Sequence, residues 1–506
     1  MTPSSPGAAP PPLVFTDVEI EGRRGQTVVA VGGIVTFVGG GDEARGEVLR
    51  HGRDDTVVTV EGGGGALLPG LHDHHLHLFS LAARDGSVDC GRPAVLDRAG
   101  LGQALRTAAA GRPPGQWVRG YGYDESTTGA LDAAGLDQLL GGLRGTPVRI
   151  QHRSGHQWVL NTAGVAAVRR VAAADGSPGP DGLMSPDGVF SDVDGALRPL
   201  WSAVQRPELG GAGARLARFG VTGVTDATVT NGVAEVELVA AEQRRGALGQ
   251  RVHMLGNGLP ARSGSMLCTG ARKLVLIDTD LPSLEELTAA VVAAGARGVA
   301  LHCVSRQSLV LAAVALREAG GGPHRIEHAS VAPPEAMALL RGLPVTVVTQ
   351  PGFISEHGDR YRREVEPSDR TWLYRLRAWT TVGVPLAGST DAPFGDPDPW
   401  AAMRAAVSRR TAGGAVMGGA ERLSEEQALG LFLAPLEDPG GPRRRVAVGT
   451  RADLCLLSVS WRDARHRLDH HQVRGTFVGG RAIWGDEAGD PPSTPLFDGS
   501  GAEAAG

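Results

Sequence analysis

Between Ala66 and about Leu436, apolar runs of four to seven residues alternate with amphipathic helical stretches. The runs include GALLPGLHDHHLHL, PVRIQH, VTGVTDAT, RVHMLG, RKLVLID, GVALHCV, HRIEHAS, PVTVVTQP and VPLAGSTDAP, with helix-like segments such as LPSLEELTAAVVAAGA and SRQSLVLAAVALREAG between them. Buried strands alternating with helices are the mark of parallel β/α units. Eight or so units in roughly 370 residues predict an α/β fold of the TIM (β/α)8 barrel type, with insertions. An open doubly wound sheet fits less well, because no GxGxxG follows the first strand. On either side the pattern changes to short strands broken by glycine, LVFTDVEIEG and TVVAVGG early, RADLCLLSVS and VRGTFVGG late. These predict one small β-sandwich domain formed from both chain ends, 13–65 and 437–485, around a barrel at 66–436. Residues 1–12 and the Pro/Gly/Ser-rich 486–506 read as flexible tails.

Composition bears on partners. Lys+Arg total 50 against Asp+Glu 55 in 506 residues, a formal charge of -5, which argues against a nucleic-acid partner. No run approaches the roughly eighteen apolar residues that a membrane span needs, and Met1–Pro12 lacks a signal-peptide pattern. Cys90, Cys268, Cys303 and Cys455 lie far apart with no CxxC, so a reducing cytoplasm is the expected location. One lysine, Lys273, stands among 49 arginines. Such a bias implies that arginine serves wherever a generic cation suffices. At Lys273 it points to a need for an amine that can lose its proton.

The first expected barrel strand ends in PGLHDHHLHL. Alternation along a strand puts Asp73, His75 and His77 on one face, and His72, His74 and Leu76 on the other. An HxH pair at the C-terminal end of a barrel strand can present two imidazoles to one ion. His302, His328 and Asp391 close three later strands. Each alone reads more readily as a hydrogen-bonded structural residue. A barrel, however, delivers all its strand C-termini to one rim, where the chemistry of this fold sits. Asp73 is expected to orient the histidines. Asp226 and Cys303 are expected to be structural, and the stretch with His466, His470 and His471 a solvated surface.

Taken together, PGLHDHHLHL, the strand around Lys273, LHCVSR, RIEHASV, VTQPGF, GSTDAPFGDPDP and the late VGTRADLCLLS resemble the amidohydrolase superfamily, and within it the amidohydrolase 3 (YtcJ-like) family. The resemblance runs from about Leu13 to Trp484. It implies a metal-dependent hydrolase acting on carbon–nitrogen but not peptide bonds. His75 and His77 would ligate one metal, His302 and His328 a second, and Lys273, N-carboxylated by CO₂, would bridge them. Asp391 would ligate the first metal and exchange a proton with the attacking water, a metal-bridging hydroxide. Imidazole and carboxylate ligands suit two zinc ions per chain, with manganese or iron able to occupy the same positions. The chain departs from the family pattern around Lys273, in LHCVSR and in the GST before Asp391.

The substrate is expected to be a small molecule, and a homodimer would fit the analogy. His156 in RSGHQWVLNTAG is a candidate for the substrate's carbonyl oxygen or carboxylate, against a structural role in its loop. Tyr121 and Tyr123 are candidates for lining the pocket, against core packing, and Gln350, His357 and Arg360 for reaching its mouth. Two other functions compete. A mononuclear deaminase of the same superfamily would need a catalytic Glu near the third histidine, which Glu327 could supply, and would dispense with Lys273. A catalytically silent metal-binding barrel is the non-enzymatic alternative.

Overall fold

In the computed structural model every residue of the strand Leu71–Leu76 is buried, histidines included. The structure describes residues 11–40, 43, 46, 47, 57–113, 115–155, 157–175, 187–191 and 207–485. The expected tails, apart from residues 11 and 12, lie outside them. Two compact units divide the chain, Met1–His77 with Gly213–Gly506, and Leu78–Ala212.

The first unit opens with β1 (Leu13–Ile20), β2 (Arg23–Val31), β3 (Ile34–Gly39) and β4 (Val58–Glu61), followed by β5 (Leu67–Pro69) and β6 (Leu71–Leu76). Strands β1 to β4 form one sheet in the order β3-β2-β1-β4.

The second unit holds β7 (Val88–Asp89), β8 (Val118–Tyr123), β9 (Val148–His152), β10 (Gln157–Leu160) and β11 (Val189–Ser191), a five-stranded sheet of its own. Leu101, Leu105, Leu136, Val148 and Ile150 build its separate core. The run PVRIQH, expected among the barrel strands, supplies β9 here, in a unit inserted after the first barrel strand. A short apolar run reads the same in any buried sheet, so only its pairing partners reveal which sheet it joins.

The chain then returns to the first unit with β12 (Val221–Asp226), β13 (Arg251–Gly256), β14 (Leu267–Val275), β15 (Val299–Cys303), β16 (His324–His328), β17 (Val345–Thr349) and β18 (Leu386–Gly388). With β6 these make an eight-stranded parallel sheet, β18-β17-β16-β15-β14-β13-β12-β6. Its two ends meet near their C-termini, where the Asp391 N–H donates to the His75 carbonyl at 2.9 Å and the His77 N–H to that of Ala392 at 2.7 Å. The result is the expected α/β barrel, nearly closed. Ala227, Leu255, Ala271 and Ala300 pack together in a small-residue cluster. A larger apolar layer, including Leu301, Leu309, Leu316, Ile326, Leu340 and Trp379, joins strands to helices.

Local chemistry sets the helix starts. Ser283 and Glu286 form a capping box at Leu284–Ala294, and Ser305 caps Arg306–Ala319. Gly298, at φ +69°, leads into β15, and a Cβ there would lie 1.6 Å from the Pro323 carbonyl oxygen, so only glycine fits.

Last come β19 (Leu454–Leu457), β20 (Val473–Val478) and β21 (Arg481–Trp484), which pair with β5 in the order β21-β20-β19-β5. Leu13, Phe15, Val28 and Val35 share one core with Leu67, Leu454, Leu456 and Phe477. The rings of Phe15 and Phe477 meet edge-to-face with centroids 4.9 Å apart, a contact worth about 0.5–1.5 kcal/mol beyond its burial. Both chain ends therefore contribute to the two sheets flanking that core. Among the described residues no helix is long and apolar enough to cross a membrane.

Candidate metal centre

The end of β6 and the turn after β18 bring His75, His77 and Asp391 together, with ligating atoms all within 4.8 Å of one another. The Asp391 Oδ1 lies 3.2 Å from His77 Nε2 and 3.5 Å from His75 Nε2. Its Oδ2 lies 3.8 Å from His328 Nδ1 at the end of β16. The His328 ring stands 4.8 Å from that of His75 and 4.4 Å from that of His302 on β15, centroid to centroid. The four expected histidines and Asp391 thus converge.

The backbone is strained to achieve this. His328, Ala329 and Asp391 have φ of 70°, 47° and 57°, left-handed values that cost non-glycine residues about 1–3 kcal/mol each. In the ladder His328 pairs with Cys303 and Glu327 with His302. Strict alternation would send His328 and Glu327 to opposite faces, and the left-handed turn at His328 brings its ring beside His75 and His302.

Three imidazoles are oriented from behind. His75 Nδ1 bonds the Glu327 carboxylate, which can only accept, so that nitrogen carries the proton and Nε2 keeps a free lone pair. His328 Nδ1 lies 2.9 Å from Gln350 Oε1, with the same consequence. His77 Nδ1 meets the Thr228 hydroxyl at 2.9 Å. Imidazoles held at one nitrogen and open at the other are the arrangement metal-ligating histidines adopt. Burial, followed by the nearby Lys273, pushes His75 down to about 4. Burial likewise pushes His328 to about 3 and His302 lower still. At neutral pH these rings are neutral, the form that binds a metal. Burial would raise the Asp391 carboxyl, but its bond with His77 and the rings of His328 and His75 outweigh this and hold it below the usual range.

Lys273, on β14, is 2% exposed and its Nζ has no hydrogen-bond partner. Burial is the largest influence on it and lowers its pKa, with Glu327, Arg325 and Asp391 as charged neighbours. Lys273 in turn acts on His75, His302 and His328. The amine therefore lies within electrostatic reach of three of the candidate ligands. An unpartnered buried amine, flanked by rings with open nitrogens, fits a divalent-metal site whose remaining ligand Lys273 would provide after carboxylation.

Several sequence expectations change. Asp73 supports the ligands through the backbone and not through the histidine rings, accepting the His75 N–H at 3.2 Å. Its carboxylate accepts from the Thr390 hydroxyl at 2.5 Å and the Thr390 N–H at 3.1 Å, bracing the turn that carries Asp391. The ladder between β6 and β12 shifts register between Asp73 and Leu76, which breaks the alternation assumed for this strand. Gln350, expected near substrate, is fully buried behind His328, with its Nε2 donating to Ser389 Oγ at 2.9 Å. Tyr123 spends its hydroxyl within the second unit, donating to the Gly129 carbonyl and accepting from the Leu131 N–H, each at 3.0 Å, so core packing describes it. Tyr121 lies under the Arg84 guanidinium, 4.5 Å from its ring centre. His156 lies outside the described residues. His357 Nε2 reaches the Phe394 carbonyl at 3.4 Å, and Arg360 pairs with Glu364 at 3.7 Å. Asp226 is structural, accepting from the Thr228 N–H at 3.0 Å and Asn231 Nδ2 at 2.9 Å, and Cys303 is a buried thiol raised by desolvation. His470 is half-buried, with Nδ1 on the Asp398 carboxylate at 2.9 Å, and so is not merely solvated.

Glu327 is not free for proton transfer either. Arg325 Nε donates to its Oε1 at 2.7 Å while His75 holds its Oε2. Thr228, Thr390 and Arg325 were missed in the sequence. The one legible signal was Arg325 two positions before Glu327, a spacing that puts both on one strand face.

A sequence model of the Amidohydrolase family matches residues 59–483. The chain is 24% identical over 527 residues to an N-substituted formamide deformylase from Arthrobacter pascens, covering 92% of this chain and 95% of that one. Among solved structures it is similar to an uncharacterized metal-dependent hydrolase from Pyrococcus horikoshii OT3, at 22% identity and a TM-score of 0.71 over 88% of this chain and 97% of that one. A second such hydrolase, from Pyrococcus furiosus, gives 21% and 0.67 over 88% and 98%. These structures agree with the barrel and its flanking sheets, and the family match spans β4 to β21. The chain belongs to the amidohydrolase family.

Proposed function

We propose that the protein is a metal-dependent hydrolase of carbon–nitrogen bonds in small non-peptide amides, with formamides as the substrates to test first. The observation that carries this is the group His75, His77 and Asp391, the first and last buried and His77 partly so, with ligating atoms all within 4.8 Å of one another, His302 and His328 next to it and the unpartnered Lys273 within electrostatic reach. The formamide deformylase relative supports the bond type.

His75, His77 and Asp391 would hold one divalent ion, and His302 and His328 a second. Lys273 would join them as a carbamate, formed when its neutral amine adds to CO₂ and releases a proton. Zinc suits this donor set, and manganese or iron would also fit. Divalent ions in such a site lower the pKa of water toward ~7 and polarise a carbonyl. Asp391 accepts the proton of the attacking water and passes it to the leaving amine nitrogen as the carbon–nitrogen bond breaks. His77 and His328 flank the carboxylate, 3.2 and 3.8 Å from its oxygens, and hold it in place for that transfer. Glu327, locked between Arg325 and His75, favours this reading over the mononuclear deaminase.

The test is amine release from a panel of formamides and simple amides by the metal-loaded enzyme, with metal content measured on the same sample. Turnover lost with chelation, restored by zinc and abolished by Asp391→Asn supports the assignment. A fully loaded enzyme that releases no amine from any member overturns it.

A further inference from the structure

Exposed single apolar residues are ordinary on a protein surface, so position decides whether they mean anything. Among the described residues Val275, Ile277, Val304 and Phe394 are 39%, 53%, 38% and 48% exposed. Val275 and Ile277 follow Lys273 by two and four positions, Val304 follows His302 by two, and Phe394 follows Asp391 by three. Parallel strands bring these positions to the rim that carries the candidate metal ligands. Val275 pairs in register with His302 and lies on the same strand face as Lys273 and Ala271. The Phe394 ring meets His77 edge-to-face, centroids 5.4 Å apart. Its backbone is held on both sides, its N–H donating to the Asp391 carbonyl at 2.9 Å and its carbonyl meeting His357 at 3.4 Å.

Several charged groups around these strand ends are engaged within the protein. Asp278 accepts from the Ser305 hydroxyl at 2.5 Å, Arg306 pairs with Asp369, and Arg360 with Glu364. An ionised substrate group would have to displace them, whereas an apolar group meets ready surface. Small-molecule sites generally combine a few fixed polar groups with an apolar lining.

We propose that Phe394 on one side of the barrel mouth, and Val275, Ile277 and Val304 three to four strands away across it, form an apolar lining that seats an uncharged alkyl or aryl substituent of the amide substrate. This rests on the hydrolase reading above and extends it to the substrate's class. Phe394 is the specificity-determining residue, because its ring packs edge-to-face on His77, a candidate metal ligand.

The test uses the metal-loaded full chain and a series of straight-chain N-alkyl-N-hydroxyformamides, from ethyl to hexyl, with binding read by calorimetry so that no turnover is needed. The expected result is a Kd falling by up to about fourfold per added methylene, with the dependence flattened in Phe394→Ala and largely kept in Phe394→Leu. An N-alkyl-N-hydroxyformamide whose chain ends in a carboxylate should bind more weakly than its neutral counterpart of equal length. A Kd independent of chain length, or an unchanged slope in Phe394→Ala, overturns the proposal. Because binding is read directly, the absence of amide turnover would sink the hydrolase assignment without deciding this one.

Discussion

His328 Nδ1 and Gln350 Oε1 are 2.9 Å apart, and the glutamine is itself fixed by Ser389, whose hydroxyl donates to the Thr349 carbonyl at 3.1 Å. The orientation of one candidate ligand is therefore set by the turns that follow β17 and β18. Removing the amide frees the ring to rotate and to change tautomer. Gln350→Ala should weaken metal binding about 10–100-fold, measured by competition with a chelator, and Gln350→Glu should restore much of it. Equal affinities in all three proteins would show that this contact does not orient the ligand.

Glu327 and Arg325 form a buried pair, with side chains 0% and 6% exposed. Removing one partner strands the other charge away from water. Glu327→Ala should lower stability by about 3–5 kcal/mol in urea unfolding. Replacing both, Arg325→Met with Glu327→Leu, should cost less than the single change. A double variant weaker than the single one would mean that the pair is not self-compensating.

Lys273 is assigned a role that needs a neutral amine and CO₂. Metal loading of the stripped protein should be faster and more complete with bicarbonate than in CO₂-free buffer. Lys273→Arg, which keeps the charge but cannot form a stable carbamate, should bind about one equivalent of metal instead of two. Two equivalents bound by that variant, counted by elemental analysis, would remove Lys273 from the ligand set.

Glu421 offers a pH test away from the metal centre. Burial alone would raise its pKa, but the Ala378 N–H at 2.9 Å, the Arg375 guanidinium at 2.8 Å and the Leu376 N–H at 3.1 Å hold it below the usual range. A carboxyl depressed in the folded state stabilises fully above its unfolded pKa of about 4.5, and that contribution is lost as pH falls through the folded value. Glu421→Gln should be about 1–3 kcal/mol less stable than the parent at pH 7. The gap should narrow as acidity increases below about pH 4.5. A gap that stays constant down to pH 3 would show that the carboxylate charge contributes nothing.

The alternation of apolar runs and amphipathic segments was enough to predict parallel β/α units, because the periods of strand and helix are local properties of the chain. The candidate ligands were legible for a related reason. Once parallel strands are accepted, residues at their C-terminal ends share one rim, so His75, His77, Lys273, His302, His328 and Asp391 could be grouped without knowing any distance. Contacts that depend on closing the chain were not legible. His75 meets Glu327 across 252 positions, Asp73 meets Thr390 across 317, and neither pairing follows from spacing. The same holds for β9, an apolar run indistinguishable from a barrel strand until its hydrogen-bonding neighbours placed it in the second unit. Sequence alone determined which side chains could supply the chemistry and in what order. Tertiary structure decided which nitrogen of each histidine is open and which carboxylate is locked, because those depend on partners that only long-range folding brings within hydrogen-bonding distance.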